Sequence, residues 1–471
     1  MHVHLIGVAG TGMGALAGLL AKSGHRVTGS DTAFHPPIGP ALEGWGVTTM
    51  KGWDPQNLSP HPDLVVVGNV CRKDNPEARY AIDHGIPYDS MPGALERLFL
   101  GKRTSLVVAG THGKTTSTSL LAWLLESAGL GPGFLVGGIP ANFGESFAVG
   151  REGGPFVIEG DEYDSAFFEK SPKFLRYLPR AVMLTSIEHD HVDIYPDERS
   201  YVDAFRALAA LIPPDGHLVA FAGDRRVREV AETATCRVTY YAVEEDDTGE
   251  VTPAFLAVPA GPGAFDLFGM GSQLGRVHTP MTGLHNMRNA VGAMALASLA
   301  AGVALPGAIT ALGHFGGVKR RQELLGVAGG VTVYEDFAHH PTAVRETLRG
   351  LRERHPEGRL VAAFEPRSAT ASRRTHQAEY PGAFEAADET FLAPVGRAEI
   401  AEDEQLDRDS IVAEIRARGG VAHAPANLDA LVDALTASLA SGDTLVLMSN
   451  GPFGGIYDVI LAALAARHLG R

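Results

Sequence analysis

The chain has 471 residues, room for about three domains at roughly 150 residues each. Apolar residues make up 45% and charged residues 20%, the balance of a folded globular protein and not of a disordered one. With 40 Lys and Arg against 55 Asp and Glu the formal charge is −15, which argues against a nucleic-acid binder or a protein that docks on anionic membrane.

Met1 to Gly7 carry no basic segment and pass at once into an apolar run, so no signal peptide is expected. Val3–Ile6 read as a strand, Gly7 to Gly14 as a glycine-rich turn, and the Ala/Leu-rich stretch to about Ser23 as a helix. Small residues at Gly7, Ala9 and Gly12 let a diphosphate approach the helix N-terminus, where unpaired N–H groups and the helix dipole favour an anion. Asp31, at the end of the next strand, stands where an acidic residue meets a ribose hydroxyl. By itself this pattern fits a nicotinamide cofactor, another nucleotide diphosphate, or a tight packing turn. The only cysteines are Cys71 and Cys236, at most one bridge, which fits a reducing compartment.

A boundary is expected near Gly101-Lys102-Arg103, and the strand Leu106–Ala109 then runs into Gly110-Thr111-His112-Gly113-Lys114-Thr115-Thr116. This is the shorter G-x-x-G-K-T form of the phosphate loop, since Val108 stands where the full pattern has glycine. Backbone N–H groups wrap phosphates, Lys114 neutralises the β and γ oxygens, and the Thr115 hydroxyl coordinates Mg²⁺. Leu120, Leu121, Leu124 and Leu125 give the following helix its apolar stripe. Two later strand patterns end in Glu159–Asp164 and in Glu188–Asp193. Ligands gather at the carboxyl ends of parallel strands, so Lys114, Glu159 and His191 are the candidate catalytic residues and Thr115, Glu159 and His191 the candidate metal ligands. His189-x-His191-x-Asp193 also has residue types of a zinc hydrolase, with Ile194 where a further histidine is common.

Pro214 to Met281 show short β-type runs, read as an antiparallel excursion of the middle unit. Asn289 to Val318 carry no formal charge, but the stretch is rich in Ala and Gly and includes Pro306 and His314, which predicts a buried helix pair and not a membrane span. His285-Asn286-x-x-Asn289 opens it and offers amides to a base. A second boundary near Gly316-Gly317-Val318 precedes Lys319-Arg320-Arg321, where a guanidinium either reaches a γ-phosphate or faces solvent. Val331–Tyr334, Leu360–Phe364 and Leu445–Met448 are further strands. The alternation of strand and helix predicts an α/β protein with mainly parallel sheets covered on both faces.

Together these residues resemble the Mur ligase family, ATP-dependent amide-forming enzymes of bacterial cell-wall synthesis, over essentially the whole chain and in family order. The resemblance implies a Rossmann-like UDP-binding domain at 1–103, a P-loop ATPase-like central domain with a mixed sheet at 104–317, and a Rossmann-like C-terminal domain at 318–471. It implies UDP-sugar contacts at Gly7, Ala9, Gly10, Thr11, Gly12, Met13, Asp31 and Asn69. The ATP contacts it implies are Gly110, Thr111, His112, Gly113, Lys114, Thr115, Thr116, His285, Asn286, Asn289, Arg321, Asp336 and His340, with Arg321 also catalytic. Peptide contacts fall on Arg367, Ser449 and Asn450.

Two branches of the family carry the Gly-Thr-His-Gly-Lys-Thr-Thr form: one joins L-alanine to UDP-N-acetylmuramate, the other the murein tripeptide L-alanyl-γ-D-glutamyl-meso-diaminopimelate. The segments 161–170, 337–342, Phe364-Glu365-Pro366-Arg367-Ser368 and Ser449-Asn450-Gly451-Pro452-Phe453-Gly454-Gly455 resemble the tripeptide branch, with Pro452 a departure within the last turn. Other branches carry a carbamylated lysine between two metals. No lysine lies between Lys173 and Lys319, and Arg206 stands near the equivalent position. The resemblance thus implies a cytoplasmic ligase using ATP and Mg²⁺, a monomer or weak homodimer. The L-alanine ligase is its alternative; a kinase, a zinc hydrolase and a dehydrogenase are the alternatives from other classes.

Overall fold

The alternating pattern resolves into three main sheets in the computed structural model, which describes residues 1–192, 194–397, 400–401 and 403–469. Asp193 lies outside the described residues. β1 (His2–Ile6), β2 (Arg26–Asp31), β3 (Thr48–Lys51), β4 (Leu64–Val67) and β5 (Tyr88–Ser90) form an all-parallel sheet in the order β3-β2-β1-β4-β5. The order reverses beside β1, so the crevice at its carboxyl end is where such sheets bind ligands. The turn Gly7–Gly10 and the helix Thr11–Lys22 sit there.

The central sheet contains β6 (Ser105–Ala109), β7 (Gly133–Leu135), β8 (Phe147–Ala148) and β9 (Phe156–Gly160), after which β10 (Asp164–Ala166) and β11 (Glu169–Pro172) form a separate hairpin. It continues with β12 (Pro179–Leu184), β13 (His217–Phe221), β14 (Arg237–Val243), β15 (Phe255–Pro259), β16 (Ala264–Gly269) and β17 (Ser272–His278). The order is β17-β16-β15-β14-β13-β12-β6-β9-β7-β8. In register, Ala109 faces both Leu184 and Gly160, so β6, β9 and β12 finish at one level. The antiparallel excursion expected over Pro214–Met281 holds only for β15–β17. β13 and β14 continue the sheet in parallel through the crossover helices Glu198–Ala210 and Arg225–Ala231, and β15 pairs parallel to β14 after the segment 244–254.

The uncharged stretch forms the helices Leu284–Ala301 and Leu305–Leu312, packed against the helix Lys114–Ser127. The Trp123 indole N–H donates to Ala311 O at 2.7 Å across this contact. Leu120, Leu121, Leu124 and Leu125 are all buried there, each burial contributing about 1.5–3 kcal/mol. Among the described residues no helix is long and apolar enough to cross a membrane.

β18 (Glu323–Ala328), β19 (Val331–Asp336), β20 (Leu360–Phe364), β21 (Glu389–Leu392), β22 (Val421–His423) and β23 (Thr444–Met448) form the third sheet, in the order β18-β19-β23-β20-β21-β22. Only β18 is antiparallel.

Candidate functional site

The phosphate loop is shaped by two glycines that nothing else replaces. Gly110 has φ +131° and a Cβ there would lie 2.1 Å from Thr185 Oγ1; Gly113 has φ +80° and its Cβ would lie 2.3 Å from Asn289 Oδ1. Both φ values lie where L side chains are strained. The end of β12 buttresses the loop: Thr111 N donates to Ser186 O at 2.7 Å, and the Thr185 hydroxyl donates to His112 O at 2.6 Å. Asn289 faces the loop from the helix Leu284–Ala301, its Oδ1 accepting from Ser117 Oγ at 3.1 Å. The helix Lys114–Ser127 then starts with its amide groups toward the rim.

A buried carboxylate organises the charges at this rim. Glu162, 1% exposed, lies 2.9 Å from the Lys114 ammonium and 3.0 Å from His191 Nε2, and Tyr201 donates to it at 3.3 Å. Lys114 also donates to Gly110 O at 2.6 Å and Thr111 O at 3.3 Å. Burial pushes the Lys114 pKa down, but Glu162 and Asp161 outweigh it and leave the ammonium above its ordinary value. Burial likewise raises Glu162, and Lys114 with His191 overcomes that and holds it low. His191 is lowered by burial and raised further by Glu162 and Asp190, ending above the ordinary imidazole value. Its φ of +54° is a conformation that non-glycine residues adopt only when their surroundings enforce it, and such strain collects at functional sites.

The metal expectation divides along the same rim. Thr115 Oγ1 donates to Glu159 Oε1 at 2.9 Å, and Gly137 N donates to Glu159 Oε2 at 2.7 Å. A hydroxyl and a carboxylate side by side are the hard oxygen donors that suit Mg²⁺. His191 joins through Glu162 and not through Glu159. Arg321 reaches across from the segment before β18, donating to Thr115 Oγ1 at 3.2 Å and stacking on the Phe337 ring with its guanidinium carbon 4.6 Å from the centroid. Burial pushes the Arg321 pKa down, against the attraction of Asp336 and Glu159. Asp336 fixes that segment, accepting from Gln322 N at 2.7 Å and Ala338 N at 2.8 Å.

These groups line one cavity of about 1020 Å³ between the central and third sheets. Of the residues expected at ATP, Thr111 to Thr116, His285, Asn286, Asn289, Arg321 and Asp336 are on its wall. Gly110 lies behind the wall, and His340 is buried beside it against Glu188 at 3.4 Å. At the far end Arg288 pairs with Asp246 at 2.6 Å and lies over Phe221. In the sequence Glu162 stands only inside an acidic run, and neither Arg288 nor Asp246 belongs to a motif. The signal for Arg288 was its place between Asn286 and Asn289 on one helical turn.

Other expected residues fall outside this cavity. Arg206 pairs with Asp203 at 2.7 Å on the helix Glu198–Ala210, lies 4.0 Å from Glu229 and is not on the wall. In the first sheet Gly7 and Asn69 follow the carboxyl ends of β1 and β4 and Asp31 is the last residue of β2; Gly10, Thr11 and Gly12 are exposed, and Met13 is buried. Asp31 accepts from Ala9 N at 2.9 Å and so ties the glycine turn to β2. Asn450 lines the cavity. Ser449 is fully buried and accepts from Gly451 N at 2.9 Å, and its hydroxyl donates to Glu365 at 2.5 Å. Arg367 lies 3.7 Å from Glu365 and is partly exposed.

A loop of the phosphate-binding form, an oxygen-donor pair and an arginine from another sheet lie around one cavity, an arrangement that suits a nucleotide-dependent enzyme. Family models match along the chain in the same order: the Mur ligase family catalytic domain at residues 2–103, the Mur ligase middle domain at 108–297, and the Mur ligase glutamate ligase domain at 320–451. The chain belongs to the Mur ligase family, and it is a ligase. It is 38% identical to a UDP-N-acetylmuramate–L-alanyl-γ-D-glutamyl-meso-2,6-diaminoheptandioate ligase of Escherichia coli K12, over 99% of each chain. It is 36% identical to a UDP-N-acetylmuramate–L-alanine ligase of Rubrobacter xylanophilus, over 98% of this chain and 100% of that one. A crystal structure of a murein peptide ligase from Psychrobacter arcticus matches with a TM-score of 0.72 and 35% identity over 99% of both chains.

Proposed function

We propose that this chain joins L-alanyl-γ-D-glutamyl-meso-diaminopimelate to UDP-N-acetylmuramate, forming ADP and phosphate through an acyl phosphate. One observation carries the choice of amine donor: two of the four segments that resemble the tripeptide branch meet in space. Glu365, after β20, takes the Ser449 hydroxyl, after β23, and faces Arg367, and the two strands are adjacent. Arg367 then offers a guanidinium fork to a carboxylate of the peptide, with Asn450 on the cavity side. We assign residues 1–103 to the sugar nucleotide, with Gly7 to Met13, Asp31 and Asn69 at its diphosphate and ribose; residues 104–317 to ATP; and residues 318–471 to the peptide and to closing the ATP site. ATP as co-substrate and two unpaired cysteines support a cytoplasmic location.

In this reading a muramyl carboxylate oxygen attacks the γ-phosphorus and ADP leaves. The peptide α-amine next attacks the acyl carbon, and phosphate departs with that oxygen. Two anions 4 Å apart repel by about 4 kcal/mol at an effective dielectric constant of 20. Lys114 and Arg321 supply the offsetting charge. Thr115 and Glu159 would hold Mg²⁺, with His191 oriented beside them by Glu162; when bound, the ion neutralises phosphate charge. The loop after β19 walls off the cavity and keeps water from the acyl phosphate. ADP release with ATP, Mg²⁺ and UDP-N-acetylmuramate tests this: the tripeptide is expected to drive turnover and L-alanine is not, and the reverse order would move the chain to the L-alanine branch.

A further inference from the structure

Away from the Thr115–Glu159 pair, three side chains converge where the phosphate loop, the loop after β12 and the loop after β19 meet. His112 Nε2 lies 2.9 Å from Glu188 Oε2, and His340 Nδ1 lies 3.4 Å from the same oxygen. The three ligand atoms all lie within 4.8 Å of one another. The local backbone sets the state of His340. Its Nδ1 accepts the Thr342 N–H at 3.3 Å at the start of the helix Pro341–Arg354, so that nitrogen carries a lone pair and no proton. The Glu188 oxygen opposite is also an acceptor. Two acceptors facing each other at 3.4 Å repel unless an electrophile lies between them.

We propose that His112, Glu188 and His340 form a site for a transition-metal dication of the zinc type, separate from the Mg²⁺ donors Thr115 and Glu159. Two imidazoles and one carboxylate suit zinc, whereas Mg²⁺ takes oxygen ligands. A tetrahedron with metal–ligand bonds of about 2.0–2.1 Å has edges of about 3.3 Å, close to the two short separations here. Three protein ligands leave a fourth position for water or a phosphate oxygen. His112 and Glu188 belong to loops of the central sheet and His340 to a loop of the third, so an ion here staples the two across the ATP cavity. The proposal rests on this geometry alone and is independent of which peptide the enzyme takes.

The test uses the full-length chain stripped of metal, held in millimolar Mg²⁺ and titrated with Zn²⁺ against a chromophoric chelator. One tight equivalent is expected in the wild type and in His191→Ala. In His340→Ala and in Glu188→Gln its affinity should fall at least about tenfold, the scale seen when even a supporting partner of a metal ligand is removed. Replacing Zn²⁺ by Co²⁺ should give the intense visible bands of a four-coordinate site in the wild type and lose them in Glu188→Gln, which keeps the size of the side chain and so preserves folding. Equal Zn²⁺ affinity in all four proteins overturns the proposal. So does loss of the site in His191→Ala with retention in His340→Ala, and so does displacement of Zn²⁺ by Mg²⁺.

Discussion

Replacing Glu162 by glutamine removes the one full negative charge in contact with both Lys114 and His191 while keeping the side chain's shape. Breaking a buried ion pair by removing one partner costs about 3–5 kcal/mol, because the remaining charge is left without compensation. Lys114 keeps its contacts to Gly110 O and Thr111 O, at 2.6 and 3.3 Å, which places Glu162→Gln at the lower end, about 3 kcal/mol. For a folding unit of about 200 residues this corresponds to roughly 6–12 °C in melting temperature. Scanning calorimetry should find that loss in the transition that rises with added nucleotide. A non-hydrolysable ATP analogue should narrow the gap, since phosphate oxygens give Lys114 a new counter-charge. The decisive control is the Lys114→Met background, where no ammonium remains to be stranded and Glu162→Gln should cost markedly less, only what its contact with His191 contributes. An equal cost in both backgrounds would refute the assignment of Glu162 as the counter-ion that holds Lys114 in place.

Gly113→Ala forces an L side chain into φ +80° against Asn289 Oδ1, so beyond roughly 1–2 kcal/mol of backbone strain it should displace the loop and abolish ATP binding by calorimetry. Arg321→Lys keeps the charge but loses the contact to Thr115 and the planar stack on Phe337, so kcat should drop about tenfold or more, near 1.4 kcal/mol, with the nucleotide Kd changing less. In metal-free protein the loop after β19 should release on acidification, as read by hydrogen exchange. Burial raises the Glu188 pKa, but the hydrogen bond with His112 outweighs it and holds the carboxyl at about 2, so its contribution is complete above the unfolded value of 4.5 and is lost as pH falls toward 2. His340, depressed to about 3, adds a loss that begins below 6.5, because only the unfolded state gains the proton there. Protection that is flat from pH 6.5 to 4 would contradict the His340 shift, and protection flat from pH 4.5 to 2 the Glu188 shift.

Local signals made the phosphate loop legible. Its glycines, Lys114 and Thr115 lie in one seven-residue run, and strand patterns placed Glu159 and His191 at the ends of β9 and β12, level with the end of β6. The buried helix pair was likewise readable from missing charge and small residues. What pairwise contact decides was not readable. Glu162 stands among four acidic residues between Glu159 and Asp164, and only the fold shows which of them turns inward to Lys114. Arg206 turns toward Asp203 for the same reason. The parallel course of β13 and β14 was hidden because their crossover helices are short and carry many charges, whereas β15–β17 connect by tight turns and read correctly.

The claim on which the rest depends is that a carboxylate is phosphorylated in the Lys114 cavity and then displaced by an amine. UDP-N-acetylmuramate labelled with ¹⁸O in both carboxylate oxygens, turned over with ATP and the tripeptide, tests it through the mass of the released phosphate. One ¹⁸O in each phosphate is the expected result, since the oxygen that attacks the γ-phosphorus leaves with it. Phosphate free of ¹⁸O while the amide product accumulates would contradict it.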